Sequence, residues 1–335
     1  MRRGYFRIGI TLLIVFGIAI GYQAFGLMVL LALSAITGTG VSHFSLFTQI
    51  VVNGIAQSIV MLGGTIFLIK LFRQDPVYTL RLAGFHETPV MAYILVLPLI
   101  ASSQIVGSMI ANLWEHALMH LPTLYAGIKD FENQLDELTK GSIVEPQSIV
   151  RTSLVFISIA IIPALAEETL FRGFMQTNIE ISGKQKPRPH VAIIWASIAF
   201  AFMHLEPIKF PGLLVLGLTL GWVSWRSGNL LVGSVGHAAN NGAIVIALLL
   251  MPQGAPAGAA ASILDSELPS VSFSLAALTV SIPIFALCLY LFYRVTLPLK
   301  ARDFSMLFFE PEPIPGSVDQ VAASGLANEG RNEPY

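Results

Sequence analysis

Charge is scarce in this 335-residue sequence. Asp, Glu, Lys and Arg make up 12% of it, about half their share in a soluble globular chain. With 19 basic and 20 acidic residues there is no cationic surplus, so no nucleic-acid partner is indicated. Cysteine occurs once, at Cys288, which excludes an intrachain disulfide. GxSxG and Walker A patterns are missing, which removes the sequence support for a rhomboid-like serine site and for a P-loop. No apolar run carries an aspartate, so a presenilin-like aspartate pair has no support either.

What fills the sequence instead is hydrophobic residues, 54% of the chain, in runs long enough to cross a hydrocarbon core, which takes about 20 helical residues. The sequence therefore predicts an all-α polytopic membrane protein, a bundle of about eight transmembrane helices. They fall near 6–35, 46–72, 90–114, 147–178, 190–206, 208–226, 229–250 and 271–293. The amino terminus, MRRGYFRIGITLLIVFGIAIGYQAFG, starts basic, but its apolar run is too long for a signal peptide and lacks a small-residue cleavage site. It reads as a retained first span.

Loop charges orient this bundle. Arg2, Arg3, Lys70, Arg73, Arg81, Lys184, Lys186, Arg188, Arg226, Arg294, Lys300 and Arg302 fall on one side. The other side holds the acidic 115–146 segment and the 251–270 loop, with Asp265 and Glu267. By the positive-inside rule both termini are cytoplasmic, and the default location is a bacterial plasma membrane. The organisation expected is 1–146 for the first three spans and an acidic external loop, 147–296 for a catalytic membrane region, and 297–335 for a disordered tail. Within 115–146 a short interfacial helix is expected outside the membrane.

Ionisable groups inside a span are costly and point to function, and here they cluster. Glu167, Glu168 and Arg172 lie on the fourth predicted helix, His204 on the fifth, and His237, Asn240 and Asn241 on the seventh. Counting about 1.5 Å per residue puts Glu167, His204, His237 and Asn241 in one layer. Glu168 and Arg172, at i and i+4, share a face and pair structurally. Glu167 points about 100° away and keeps no local partner. Pro163, one turn earlier, predicts a kink beside it. His237 and Asn241 share a face, and the small residues around them, Gly233, Gly236 and Gly242 among others, let another helix approach. For Asn241 the plainer alternative is an interhelical amide clamp. His116 and His120 in EHALMH have zinc-ligand spacing, but Ala117 stands where HExxH requires glutamate, and they read as an interfacial face.

The ordered motifs EExxxR (Glu167, Glu168, Arg172), FxxxH (Phe200, His204) and HxxxN (His237, Asn241), each on its own apolar helix, resemble the CPBP family of intramembrane proteases. That family includes the CAAX prenyl endopeptidases, or Ras-converting-enzyme-like proteins. The resemblance covers about residues 147–250 and implies a site buried among the fourth, fifth and seventh helices, acting on a membrane-associated peptide or protein. It implies that Glu167 and His204 activate water, and that His237 and Asn241 bind the oxyanion or help hold a metal. Glu168 with Arg172 would hold the helix, and Phe200 would pack beside His204. Two mechanisms stay open: Zn2+ on Glu167, His204 and His237, or a metal-free site with Glu167 as general base. A non-catalytic membrane scaffold, or a bacteriocin-immunity-like protein, is the alternative from another class. Membrane lipid is the other expected partner.

Overall fold

In the computed structural model, residues 7–82, 87–139, 148–182, 187–249, 269–297 and 299 are described. Nine long helices run through them: α1 Ile8–Thr37, α2 Leu46–Leu71, α3 Val90–Met119, α4 Pro122–Thr139, α5 Ile149–Ile181, α6 Pro189–Met203, α7 Phe210–Ser227, α8 Leu230–Leu249 and α9 Val271–Val295. The described residues contain no strand. All eight expected helices are present, the fourth, fifth and seventh being α5, α6 and α8. The helix expected within the acidic segment is α4. The tail beyond Leu299 and the loop 251–268 lie outside the described residues.

Among the described residues five helices, α1, α2, α3, α5 and α9, are long and apolar enough to cross a membrane by length and composition. α6 has 15 residues, short of the roughly 20 a simple crossing takes. The protein is a polytopic helical membrane protein by its long apolar helices.

Local chemistry sets the helix ends. Ser45, Ser148 and Ser270 accept from backbone N–H groups three residues on, at the starts of α2, α5 and α9. Gly228 ends α7 with φ of 62°, the left-handed turn that lets α8 begin two residues later.

The helices then meet through small residues. A Cβ at Gly107 of α3 would fall 2.9 Å from the Gly212 carbonyl oxygen of α7, and the reverse distance is also 2.9 Å. These two backbones touch, the close approach that small residues permit between membrane helices. The core is shared by α3 (Leu99, Ile100), α5 (Leu170, Phe174), α6 (Phe200) and α7 (Leu220).

The carboxyl end of α5 is held by polar groups rather than by this apolar core. Arg81, counted above among the loop cations, is fully buried and its Nη2 lies 2.7 Å from Glu180 Oε2, also fully buried. Its Nε donates to the Arg172 carbonyl at 3.0 Å. Gln74 and Asn178 exchange side-chain hydrogen bonds, and Thr177 donates to the Thr79 carbonyl. The segment after α2 is thus part of the scaffold that fixes α5, which carries Glu167, Glu168 and Arg172 of the candidate site.

Candidate active site

Halfway along α5 the backbone departs from α-helical winding. Wide π turns occupy Ile157–Ile161 and Glu168–Met175, with Pro163 between them. Pro163 has no N–H for its ordinary acceptor, the Ile159 carbonyl. Asn241 of α8 supplies one: its Nδ2 donates to Ile159 O at 3.4 Å. The kink expected at Pro163 is a widened stretch of helix, a form frequent at functional sites.

Glu168, Arg172 and His237 form a buried polar chain. Arg172 Nη1 lies 2.9 Å from Glu168 Oε1, with both side chains fully buried. His237 Nδ1 sits 3.1 Å from the same oxygen. An ionised carboxylate only accepts, so His237 donates its Nδ1–H there and turns its Nε2 edge outward. Beyond that edge is Glu167, whose Oε2 stands 3.7 Å from Nε2. That gap exceeds a hydrogen bond. Glu167 Oε2 is shielded from solvent and has no hydrogen-bond partner among the described residues.

His204 enters from the end of α6. Its Nδ1 lies 2.8 Å from the Phe200 carbonyl oxygen; a carbonyl accepts, so Nδ1 carries the proton and the neutral ring keeps its lone pair on Nε2. The ring of Phe200 is the hub. It stands edge-on to His204 at 4.6 Å and to His237 at 5.7 Å between centroids, while the Arg172 guanidinium lies 4.4 Å over it. The expectation that Phe200 packs beside His204 holds, and its contacts reach further.

The structure brings Glu167, Glu168, Arg172, His237 and Phe200 together, with His204 joined through Phe200. No hydrogen bond or ion pair links His204 to Glu167 among the described residues. Asn241 is turned to α5 rather than bonded to His237, although the two share a face of α8. A metal ion needs three protein donors around it, and among the described residues no three of His, Cys, Asp and Glu come together as such a group. His116 and His120 do not form a metal group either: His116 Nε2 donates to the Pro269 carbonyl at 2.9 Å.

Three further groups crowd the site. Tyr22 of α1 and Gln57 of α2 sit within reach of each other, and Tyr22 feels the Glu167 charge. Ser224 of α7 lies beneath Gly233: a Cβ at Gly233 would fall 2.6 Å from Ser224 Oγ and 3.0 Å from Glu168 Oε2. Gly233→Ala is therefore expected to push on the Glu168 carboxylate and cost about 1–3 kcal/mol; thermal unfolding in detergent measures it, and an unchanged midpoint would contradict the packing described. None of these groups carries a signal in the sequence, because each contact joins helices far apart along the chain.

At the far end of α6 the turn after His204 is braced by α4 and by the end of α3. Glu132 Oε1 accepts from the Ile208 backbone N–H at 3.2 Å, and Trp114 Nε1 donates to the Pro207 carbonyl at 3.2 Å. Leu205 within this turn has φ of 56°, a strained value for a non-glycine residue. Burial pushes the Glu132 carboxyl above its usual value of 4.5, against the pull of the Ile208 N–H and the Lys129 charge. A carboxyl raised in the folded state binds its proton more tightly there, so its contribution to stability is present at low pH and is lost as pH rises above 4.5 through the folded value. Glu132→Gln is expected to flatten this decline in thermal unfolding above pH 4.5. A decline as steep in the variant as in the parent would assign it to other groups.

The matched family follows from this segment. Residues 149–243 match the model described as Rce1-like, Type II CAAX prenyl endopeptidase. The stretch is Rce1-like. This Rce1-like segment holds all seven residues singled out above, from Glu167 to Asn241, and agrees with the resemblance read from the three motifs. No curated protein and no solved structure matches the chain.

Proposed function

We propose that the chain is an intramembrane endopeptidase that hydrolyses a peptide bond in a membrane-associated substrate of the CAAX type. The observation carrying this reading is the line from Glu168 through His237 to Glu167: a carboxylate fixes one imidazole nitrogen, and the other faces an unpartnered carboxylate oxygen 3.7 Å away. A water bridging Glu167 Oε2 and His237 Nε2 fits that gap, with two ordinary hydrogen bonds. Glu167 takes the water proton as its oxygen attacks the scissile carbonyl carbon, and later returns that proton to the leaving amine.

The oxyanion needs donors where its charge develops. Where His237 enters the step already protonated, its Nδ1–H stays on Glu168 and its Nε2–H is directed at the oxyanion, while the one proton released by the water goes to Glu167. The Asn241 amide has two N–H groups, of which Ile159 O engages one. His204, with Nδ1–H on the Phe200 carbonyl, presents Nε2 as an acceptor that orients the water or the substrate amide. Amide hydrolysis is balanced without a metal, and the reading proposed is the glutamate-based one. The clustering of lysine and arginine supports cytoplasmic termini.

The test compares peptide termini in membranes of cells carrying the parent chain or Glu167→Gln at matched expression. Termini formed only with the parent establish proteolysis and name the substrate; a chelator added to the purified enzyme then leaves turnover unchanged under the glutamate route. Identical termini, with both proteins folded, would remove the protease reading and favour the scaffold.

A further inference from the structure

Away from the residues of the candidate site, α7 and α9 both pack against α3. Between them runs a mostly apolar groove of about 460 Å3, lined by Leu218, Thr219 and Trp222 of α7 and by Phe285, Leu289, Tyr290 and Tyr293 of α9. No residue of the candidate active site lines it. The Trp222 ring packs at a tilt against Phe292, 5.7 Å between centroids. From Phe285 to Tyr293 the α9 wall of the groove is about 12 Å long, enough for a stretch of acyl chain.

Two arginines stand at the carboxyl ends of these helices, one on each. Arg226 Cζ lies 5.1 Å from the centroid of the Tyr293 ring. Arg294 Nη1 donates to the Tyr290 hydroxyl at 2.9 Å. Tyr290 and Tyr293 are three residues apart on one face of α9, so both guanidiniums gather at the same mouth. Among the described residues neither has a carboxylate partner. Two cations without counterions among the described residues, at the end of an apolar groove, call for an anion with a hydrocarbon chain. Guanidinium binds phosphate through parallel N–H donors, and basic pockets between membrane helices hold anionic headgroups in this way.

We propose that this groove is a binding site for an anionic phospholipid. Its phosphate accepts from Arg226 and Arg294, and one acyl chain lies along Trp222 and Leu289. A zwitterionic choline lipid would bring a third cation to the same mouth and is disfavoured.

The experiment uses the purified full chain in detergent, titrated by native mass spectrometry with phosphatidylglycerol and with phosphatidylcholine of the same acyl chains. Phosphatidylglycerol is expected to bind about tenfold more tightly or better, and Arg226→Gln with Arg294→Gln to bring it to the choline level. Equal binding of both lipids to the parent overturns the proposal, as does a preference that survives in the double variant. Glycerol phosphate binding as tightly as the lipid would show that the groove contributes nothing, and overturns it too. A second measurement needs no arginine variant: phosphatidylglycerol with brominated chains quenches Trp222 fluorescence. Quenching lost in Trp222→Phe places the chain in the groove, and quenching of equal extent in that variant places it elsewhere.

Discussion

Glu167→Gln is expected to lower turnover about a thousandfold while leaving the fold intact. The contrast rests on what the carboxylate touches. Its Oε2 is hidden from solvent, lacks a hydrogen-bond partner among the described residues, and faces His237 Nε2 only across 3.7 Å. An amide of the same shape removes the base but breaks no existing bond. Removing a poorly partnered buried charge is neutral or stabilising, so the unfolding midpoint in detergent should stay level or rise. Turnover of a reporter peptide and the midpoint are measured on the same preparation. A variant that keeps its rate would dismiss Glu167 as the base. One that loses rate and stability together would show that Glu167 holds the bundle instead.

How far the site could be read from the sequence follows from the range of each contact. The Glu168–Arg172 pair is local, four residues apart on one helix, and the helix repeat alone indicates it. The divergence of Glu167 from that pair is equally local. The partner of His237 is not: Glu168 is 69 residues away, and the helix repeat places His237 and Asn241 on a common face without saying which neighbour each meets. The structure divides them, His237 to the Glu168 carboxylate and Asn241 to the carbonyl left open by Pro163.

Arg81 shows the same boundary more sharply. Beside Lys70 and Arg73 it reads as one more loop cation, whereas its carboxylate partner is 99 residues distant. Only packing against α5 reveals it as a buried scaffold group. The helices themselves were legible because an apolar run of 20 residues has few other fates, yet α6 shows that a run's apolarity does not give its length: its last turn ends at Met203, before His204.

The buried chain beside Glu167 should respond in the opposite way to the base itself. Glu168→Gln leaves Arg172 fully buried without its carboxylate, a situation that costs about 3–5 kcal/mol. The Phe200 ring 4.4 Å below the guanidinium and the Gly217 carbonyl 3.3 Å from Nη2 offer too little to offset that loss. Arg172→Met strands Glu168 in turn, less severely, because the His237 Nδ1–H remains on its Oε1. Combining Glu168→Gln with Arg172→Met removes both charges together, and most of the stability is expected to return, since an apolar replacement of a buried ion pair is often neutral. Activity should not return with it. His237 would have lost the carboxylate that sets its tautomer and orientation, and turnover should stay about a hundredfold or more below the parent. Chemical or thermal unfolding and reporter turnover of the three variants separate these roles. A stable Glu168→Gln variant would mean that the ion pair does not hold α5. A double variant with full activity would mean that His237 is oriented without Glu168, and the line from Glu168 to Glu167 would no longer carry the mechanism.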